Sequence, residues 1–294
     1  MDSLEAGVFG FIIPPAVLGF VVACTSIIEK VKNGQHHWHY TIIFLGGLFC
    51  LTTKILSILL ITDTIHHSAA SAVLGAQMAN DFLYQMFVPL LYCVFFRTCH
   101  TAVIVNQPIV GNMRSSKGNR KKLFCCYMAY TWLLVLTCTN IANCVLYGLY
   151  LESMFYHYDN INSNQLETAS NLSYLNNYGV WLFALLAFMQ IIFAFKAIRP
   201  YAKTLAIYLG MVIIANLGLL FANLLAYEKV LRSIAISTVL SFAMVEMLGL
   251  FGLVFAMWAL RRHWPSENSK QPDTSQMNYT YKPAVAGQRG VSYV

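Results

Sequence analysis

The sequence predicts an all-α integral membrane protein, a bundle of seven transmembrane helices with the N-terminus outside and the C-terminus in the cytosol. Its 294 residues are 58 % hydrophobic and only 11 % charged, and the mean hydropathy of +0.58 lies outside the usual range of soluble domains. Seven apolar runs and an unequal distribution of Lys and Arg between their connections supply the topology.

The seven runs are continuous rather than alternating, which favours helices over barrel strands because a helix satisfies its own backbone hydrogen bonds in lipid. About 20 apolar residues, each rising about 1.5 Å, cross the hydrocarbon core. The runs divide the chain into a short outer N-terminus at 1–7, a bundle at 8–260 and a polar, disordered cytosolic tail at 261–294. The predicted segments are Val8–Ile28, Tyr40–Thr62, Met78–Val105, Leu123–Leu151, Tyr178–Ile198, Thr204–Tyr227 and Ile234–Leu260.

Positive charge is distributed very unequally between the two sides of the predicted bundle. Sixteen Lys and Arg residues flank the segments on one side, whereas the other side holds only Lys229 and Arg232. Because positively charged flanks remain in the cytosol, this asymmetry orients the whole bundle. The formal net charge of +7 therefore indicates cytosolic helix ends beside a lipid bilayer and not a surface for nucleic acid.

Two further patterns bear on the compartment. The first residues include Asp2 and Glu5, and no small-residue cleavage site follows a basic start, so the first apolar run is expected to remain as an anchor. None of the eight cysteines lies in a predicted outer connection, so no disulfide framework is expected. We expect a multi-pass protein of the plasma membrane rather than of an internal membrane.

The predicted outer connection 152–177 is acidic, polar and rich in Asn. It contains the N-glycosylation sequon Asn171-Leu172-Ser173, which predicts a glycoprotein modified at Asn171. A second sequon begins at Asn278, but it lies in the predicted cytosolic tail and should stay unmodified.

Lys54 and Glu246 are the only full charges deep inside the predicted segments. Charges at that depth are costly and usually face protein or water, often with a partner. Their segments run in opposite directions and their depths differ by roughly 6 Å, a gap that a lysine side chain covers. We therefore predict an intramembrane Lys54–Glu246 ion pair. The alternative is that Lys54 extends to the outer interface while Glu246 is protonated or hydrogen-bonded within the bundle.

A stripe of polar and aromatic residues follows one face of the third segment from its outer end, namely Asp81, Tyr84, Gln85, Val88 and Tyr92. Such a stripe resembles one wall of an outward-open pocket, although core packing explains many stripes of this kind. The predicted ligand site combines it with the deep charges. Its members are Lys54, Asp81, Tyr84, Gln85, Tyr92 and Glu246.

Other polar residues inside or beside the segments are given structural interpretations. Amides in the fourth and sixth segments should hydrogen-bond between helices; these are Asn140, Asn143, Asn216 and Asn223. No histidine lies deep in a segment, so no metal centre and no cofactor are predicted. Three histidines share the outer side, as interfacial residues or, alternatively, as metal ligands or acid sensors; these are His66, His67 and His157.

The predicted cytosolic side carries three features that suggest partners. Cys99, Cys125 and Cys126 lie at helix ends beside the basic loop 106–122, which suits palmitoylation, although a buried structural thiol is an equal alternative. The basic loop is expected to meet a cytosolic partner. The terminal Ser292-Tyr293-Val294 has the Ser-x-Val pattern that PDZ domains bind.

The topology resembles that of G-protein-coupled receptors and rhodopsins, but the local motifs depart from both. The inner end of the third segment has Arg97 without an acidic residue before it. The sixth and seventh segments contain no proline, and the seventh contains no lysine for a retinal Schiff base. The resemblance therefore stops at the topology, and no family is assigned.

Three functions are compatible with these residues. The first is a receptor-like protein that binds a small or lipidic ligand in an outward-facing pocket within the bundle. The second is a transporter or lipid exporter in which Glu246 is a proton-linked carboxylate adjusted by Lys54. The third is a membrane-embedded enzyme acting on a lipid or isoprenoid with Glu246 as general acid. No second deep carboxylate exists to share the acid and base roles, so no catalytic residue is predicted.

Overall fold

The structure, a computed structural model, describes residues 3–32, 37–61, 70–105, 123–156, 163–227 and 231–263, and these are helical apart from a turn at Leu123. The α-helices, in chain order, are α1 (Ser3–Lys32), α2 (His37–Ile61), α3 (Ala70–Val105), α4 (Phe124–Tyr156), α5 (Ser163–Ile198), α6 (Ala202–Tyr227), α7 (Leu231–Leu240) and α8 (Leu248–His263). A 3₁₀ turn, Arg199–Tyr201, joins α5 to α6, and a π-helical turn, Ser241–Met247, joins α7 to α8.

Six stretches of the described chain are long and apolar enough to cross a membrane. They are Gly10–Lys32, Trp38–Leu59, Ala72–Val103, Phe124–Tyr150, Glu167–Leu225 and Ile236–Arg262. The fifth is 59 residues long and contains most of α5, the 3₁₀ turn and most of α6. A protein with this many apolar helices is a helical, multi-pass membrane protein.

Helix α3 lies at the centre of the bundle. It contacts α2, α4, α5, α6 and α8, and its eleven consecutive residues 86–96 are all buried. Burial on every side of a helix is expected when neighbouring helices, and not lipid, surround it. Helices α1 and α4 instead expose large apolar side chains such as Phe20 and Leu134, which suit contact with lipid.

Small residues allow the closest helix crossings. A Cβ added to Gly47 of α2 would lie 2.8 Å from the carbonyl oxygen of Gly19 in α1, and one added to Gly19 would lie 2.9 Å from the Gly47 oxygen. On α8, a Cβ at Gly249 would lie 2.6 Å from the Phe87 ring of α3. Glycine is therefore needed at these crossings because two backbones, or a backbone and a ring, occupy the space of a side chain.

The predicted outer connection 152–177 is wrong as a loop wherever the structure describes it. Helix α4 continues to Tyr156, and α5 already begins at Ser163. The physical reason is a buried face that continues into the polar stretch at helical spacing, through Ala169, Asn176 and Val180. Polar residues on the other faces hid this periodicity from an analysis based on hydropathy.

The predicted seventh segment is likewise not one uniform α-helix. Between Ser241 and Met247 the turns widen, and the Leu248 N–H bonds back to the Ala243 carbonyl five residues earlier. Helix α8 then continues to His263, beyond the predicted start of the tail at 261, and residues 264–294 lie outside the described chain. Isolated π turns of this kind are frequent at functional sites.

Candidate ligand pocket and buried ion pair

The structure divides the predicted ligand site into three separate places. Lys54, Tyr84 and Glu246 meet between α2, α3 and the π turn. Asp81 and Gln85 line a different cavity, between α3, α4 and α5. Tyr92 lies in neither: it is fully buried in the core, where it stacks on Phe183 and accepts a hydrogen bond from Asn216.

The ion pair predicted from the sequence is present. Lys54 Nζ of α2 donates to Glu246 Oε1 of the π turn, and the two side chains retain only 13 % and 6 % of their exposure. Two opposite charges that are withdrawn from water hold each other strongly, and removing either leaves an uncompensated charge. The pair therefore ties α2 to the seventh predicted segment.

A second polar contact anchors the same turn to α3. The hydroxyl groups of Tyr84 and Ser241 form a hydrogen bond. Beside it lies a cavity of about 10 Å³, lined by Cys50, Thr53, Tyr84 and Glu246 among others, which is the space that one water molecule requires. Glu246 Oε2 is buried and has no hydrogen-bond partner among the described residues. One oxygen of the carboxylate is thus committed to Lys54, and the other is available.

A larger cavity lies between α3, α4 and α5 and measures about 250 Å³. It is called the outer pocket after the end of the bundle that the sequence predicts to face outside. Its volume is slightly below the ~300–1,000 Å³ typical of sites for drug-sized ligands. Its lining is formed by Met78, Asp81, Gln85, Asn143, Cys144, Tyr147, Ala169, Ser170 and Ser173. A smaller cavity of about 70 Å³ lies between α5 and α6 and shares Ser170 and Ser173 with the outer pocket.

Helical spacing explains how the three walls of the outer pocket form. Each helix contributes two polar residues three or four positions apart, which therefore share one face. These pairs are Asp81 with Gln85 on α3, Asn143 with Tyr147 on α4, and Ser170 with Ser173 on α5. Sequence analysis missed the last two walls. The α4 pair carried a usable spacing signal, whereas the α5 pair lies in the stretch predicted as a loop.

On the α3 wall of the outer pocket, polar side chains lack protein partners among the described residues. Asp81 is exposed at this cavity, and no described residue in the lining is a Lys or Arg. One turn further along α3, Gln85 Oε1 is buried and has no hydrogen-bond partner among the described residues. A carboxylate oxygen accepts hydrogen bonds, so the exposed Asp81 on the α3 wall offers an acceptor to whatever occupies the cavity.

Beneath the outer pocket, amides connect three helices. Asn176 of α5 donates to Asn140 of α4 across 3.4 Å, and Asn140 donates to the Phe82 carbonyl of α3 across 3.5 Å. The prediction that these amides join helices is confirmed for Asn140, for Asn216 with Tyr92, and for Asn223, which donates to Asn177. Asn143 differs because it lines the pocket.

The remaining predicted sites fall into two groups. Asn171 is exposed, but on helix α5 and not in a loop. Cys99, Cys125 and Cys126 are fully buried, which is the environment of the structural alternative, and palmitoylation stays a prediction. The following lie outside the described residues: loop 106–122, His66, His67, His157, Asn278 and the terminal Ser292–Val294.

One ion pair was not predicted from the sequence. Arg261 of α8 donates to Glu29 of α1, whose side chain is only 6 % exposed. Both residues lie at the end of the bundle that the sequence predicts to face the cytosol. Their opposite charges at the same predicted end were the feature of the sequence that could have indicated this pair.

Together, the fold and these sites define a helical, multi-pass membrane protein with a polar cavity at one end and a buried ion pair. Comparison of the chain with models of known protein families, with curated proteins and with solved structures gave no match. In the described part of the chain, no group of three His, Cys, Asp or Glu residues is placed to hold a metal ion.

Proposed function

We propose that the bundle crosses the membrane seven times, with the N-terminus outside and the tail in the cytosol. The 59-residue stretch rises by roughly 88 Å at 1.5 Å per residue, more than two crossings of about 30 Å require. Asn177 of α5 bonds to Asn223 of α6 across 3.0 Å, on either side of the 3₁₀ turn at Arg199–Tyr201. This contact supports two antiparallel crossings. The surplus of Lys and Arg on one side supports the orientation.

We infer a receptor-like function, the binding of a small polar ligand in the outer pocket. One observation carries the inference: polar faces of α3, α4 and α5 converge on a cavity of about 250 Å³ whose described lining holds a carboxylate and neither Lys nor Arg. Sites for small molecules combine a concave shape with a few convergent polar groups. In the proposed orientation the cavity lies at the outer end of all three helices.

The proposal extends to the compartment and the partners. We propose a plasma-membrane location. Three further proposals depend on the orientation: glycosylation at Asn171, a cytosolic partner for loop 106–122, and PDZ binding by Ser292–Val294. Glycosidase treatment should change the electrophoretic mobility of the wild type but not that of Asn171→Gln. This pair of measurements tests both the modification and the side on which the pocket opens.

A transporter is the second candidate, and a specific observation favours it. Glu246 keeps one buried oxygen without a partner among the described residues, next to a space for one water molecule. A carboxylate of this kind inside a membrane bundle is a site where a proton could bind during transport. The outer pocket would then be the point at which the substrate enters.

A ligand screen on the purified protein tests the receptor proposal. Small polar compounds are scored by the rise in the thermal unfolding midpoint of the wild type, of Ser170→Trp, which fills the pocket and keeps the sequon at Asn171, and of Ile192→Trp. The control residue lies on the same helix, exposes 71 % of its surface and is not part of the cavity lining. Compounds that stabilise the wild type and Ile192→Trp, but not Ser170→Trp, support the proposal. A screen in which all three proteins respond alike would overturn it.

Flux measurements in proteoliposomes then separate the two candidates. A ligand that binds without crossing the membrane supports the receptor. Proton-dependent uptake by the wild type that is lost in Glu246→Gln, with the variant reconstituted as folded protein, selects the transporter and rules out the receptor function.

A further inference from the structure

We propose that the ligand of the outer pocket carries a positive charge and is a small organic ammonium ion. This inference rests on the proposed function and adds the chemical class of the ligand. Its starting point is the charge of the lining: Asp81 is the one carboxylic acid among the described lining residues, and no Lys or Arg accompanies it there. Lys54, the cation deep in the predicted segments, is committed to Glu246.

The hydrogen-bonding capacity of the α3 wall points the same way. Gln85 Oε1 is buried in this wall without a partner in the described chain. At the cavity itself, the α3 wall presents the Asp81 carboxylate, which accepts hydrogen bonds and donates none, so the wall favours a ligand that brings donors. An ammonium group brings three donors and no acceptor.

The other lining groups do not oppose this assignment. Ser170, Ser173 and Asn143 both donate and accept hydrogen bonds, so they fit ligands of any charge. The ring of Tyr147 also lines the cavity, and aromatic faces attract cations. An anionic ligand would instead be placed beside the Asp81 carboxylate with no cation in the lining to offset the repulsion.

The chain supplies its own reporter for the experiment. Cys144 lines the outer pocket and is partly exposed. The reporter protein carries Cys24→Ser and Cys138→Ser, because these are the two other cysteines that the structure leaves accessible. Its Cys144 is modified in nanodiscs by methanethiosulfonates bearing a primary ammonium group, a sulfonate group or a neutral methyl group. Each rate is divided by the rate of the same reagent with free 2-mercaptoethanol, and Cys144→Ser gives the background.

We expect the cationic reagent to react at least about tenfold faster than the anionic one after normalisation, because the Asp81 carboxylate in the same lining shifts the local energies of the two charges in opposite directions. In Asp81→Asn, which keeps the shape and removes the charge, the ratio should fall to near one. In Asp81→Glu, which keeps the charge, the preference should remain. Gln85→Leu should lower the ratio less than Asp81→Asn does.

The possible failures can be told apart. Equal normalised rates for the two charged reagents in the wild type would overturn the charge inference while leaving a pocket open to water. A preference that persists in Asp81→Asn would overturn the role of Asp81. Reaction with the neutral reagent alone would mean that the cavity opens to lipid. No reaction with any reagent would overturn both the pocket and the receptor proposal.

Discussion

Two polar sites share helix α3 but differ in how the protein treats their carboxylates. At the π turn, Glu246 is buried and bonded to Lys54, and Tyr84 of α3 fixes the same turn through Ser241. At the outer pocket, Asp81 is exposed, and no described lining residue is a cation. A buried charge without a counter-ion destabilises the fold, whereas an exposed one does not. The carboxylate of the first site is therefore committed to contacts within the bundle, whereas that of the second has no counter-ion among the described lining residues, as the proposed ligand site requires.

The largest expected effect comes from breaking the buried ion pair on one side only. Lys54→Met or Glu246→Gln leaves one partner uncompensated, and each should lower the free energy of unfolding by about 3–5 kcal/mol. Exchanging the charges, with Lys54→Glu and Glu246→Lys together, should restore part of the loss. Denaturant unfolding of the purified protein measures both. If each single variant unfolds like the wild type, the pair contributes nothing and the comparison between the two sites loses its basis.

The next effect concerns the helix crossing that positions Lys54. Gly47 lies seven residues before Lys54 on α2, and in Gly47→Ala the new Cβ would meet the Gly19 carbonyl at 2.8 Å. Since backbone must then move, we expect a loss of about 1–3 kcal/mol. Gly210→Ala is the matched control, because nothing lies within 4 Å of a Cβ there. Thermal unfolding of the two variants should differ clearly, whereas equal unfolding midpoints would contradict the close crossing of α1 and α2.

A smaller effect is expected at the hydroxyl group that links α3 to the π turn. Tyr84→Phe removes the hydrogen bond to Ser241 and should cost about 0.5–1.5 kcal/mol. Cys144 in the outer pocket should keep its modification rate, because Tyr84 is not part of that lining. A changed Cys144 rate in this variant would mean that the two sites are coupled through α3.

The smallest effect on stability is expected from Asp81→Asn. Because Asp81 is exposed and loses no ion pair with a described lining residue, the free energy of unfolding should change by no more than about 0.5 kcal/mol. Stabilisation by a bound ammonium compound should nevertheless disappear, since mass action couples binding to unfolding. A large loss of stability without ligand would place Asp81 with Glu246 as a structural carboxylate.

The comparison also explains what the sequence could and could not predict. The pairing of Lys54 with Glu246 followed from the cost of isolated charges in apolar helices, which leaves few arrangements open. The assignment of Tyr84 and Gln85 to one wall failed because these adjacent residues are about 100° apart around a helix. A central helix with neighbours on every side presents these two directions to different partners.

The polar extension of α5 shows a different limit. Apolar content marks where a helix lies in lipid, but a helix that leaves the bilayer and stays packed on a neighbour needs only a narrow apolar stripe. Ala169 and Val180 belong to that stripe, and the Asn-rich surroundings concealed it. Two residues of the outer pocket, Ser170 and Ser173, were hidden with it.

The π turn at Ser241–Met247 determines how this segment of the protein would respond to the deletion of one residue. Because its hydrogen bonds reach back five residues instead of four, the turn accommodates one residue more than an α-helix would. It therefore behaves as a one-residue insertion held within the chain. Deleting one residue there would restore α-helical bonding and leave the orientation of Leu248–His263 nearly unchanged. If all seven residues instead adopted α-helical bonding, Leu248–His263 would rotate by about 100° relative to α7. Gly249 would leave the ring of Phe87, and Arg261 would leave Glu29. Seven residues thus set the rotational register of everything that follows them in the bundle.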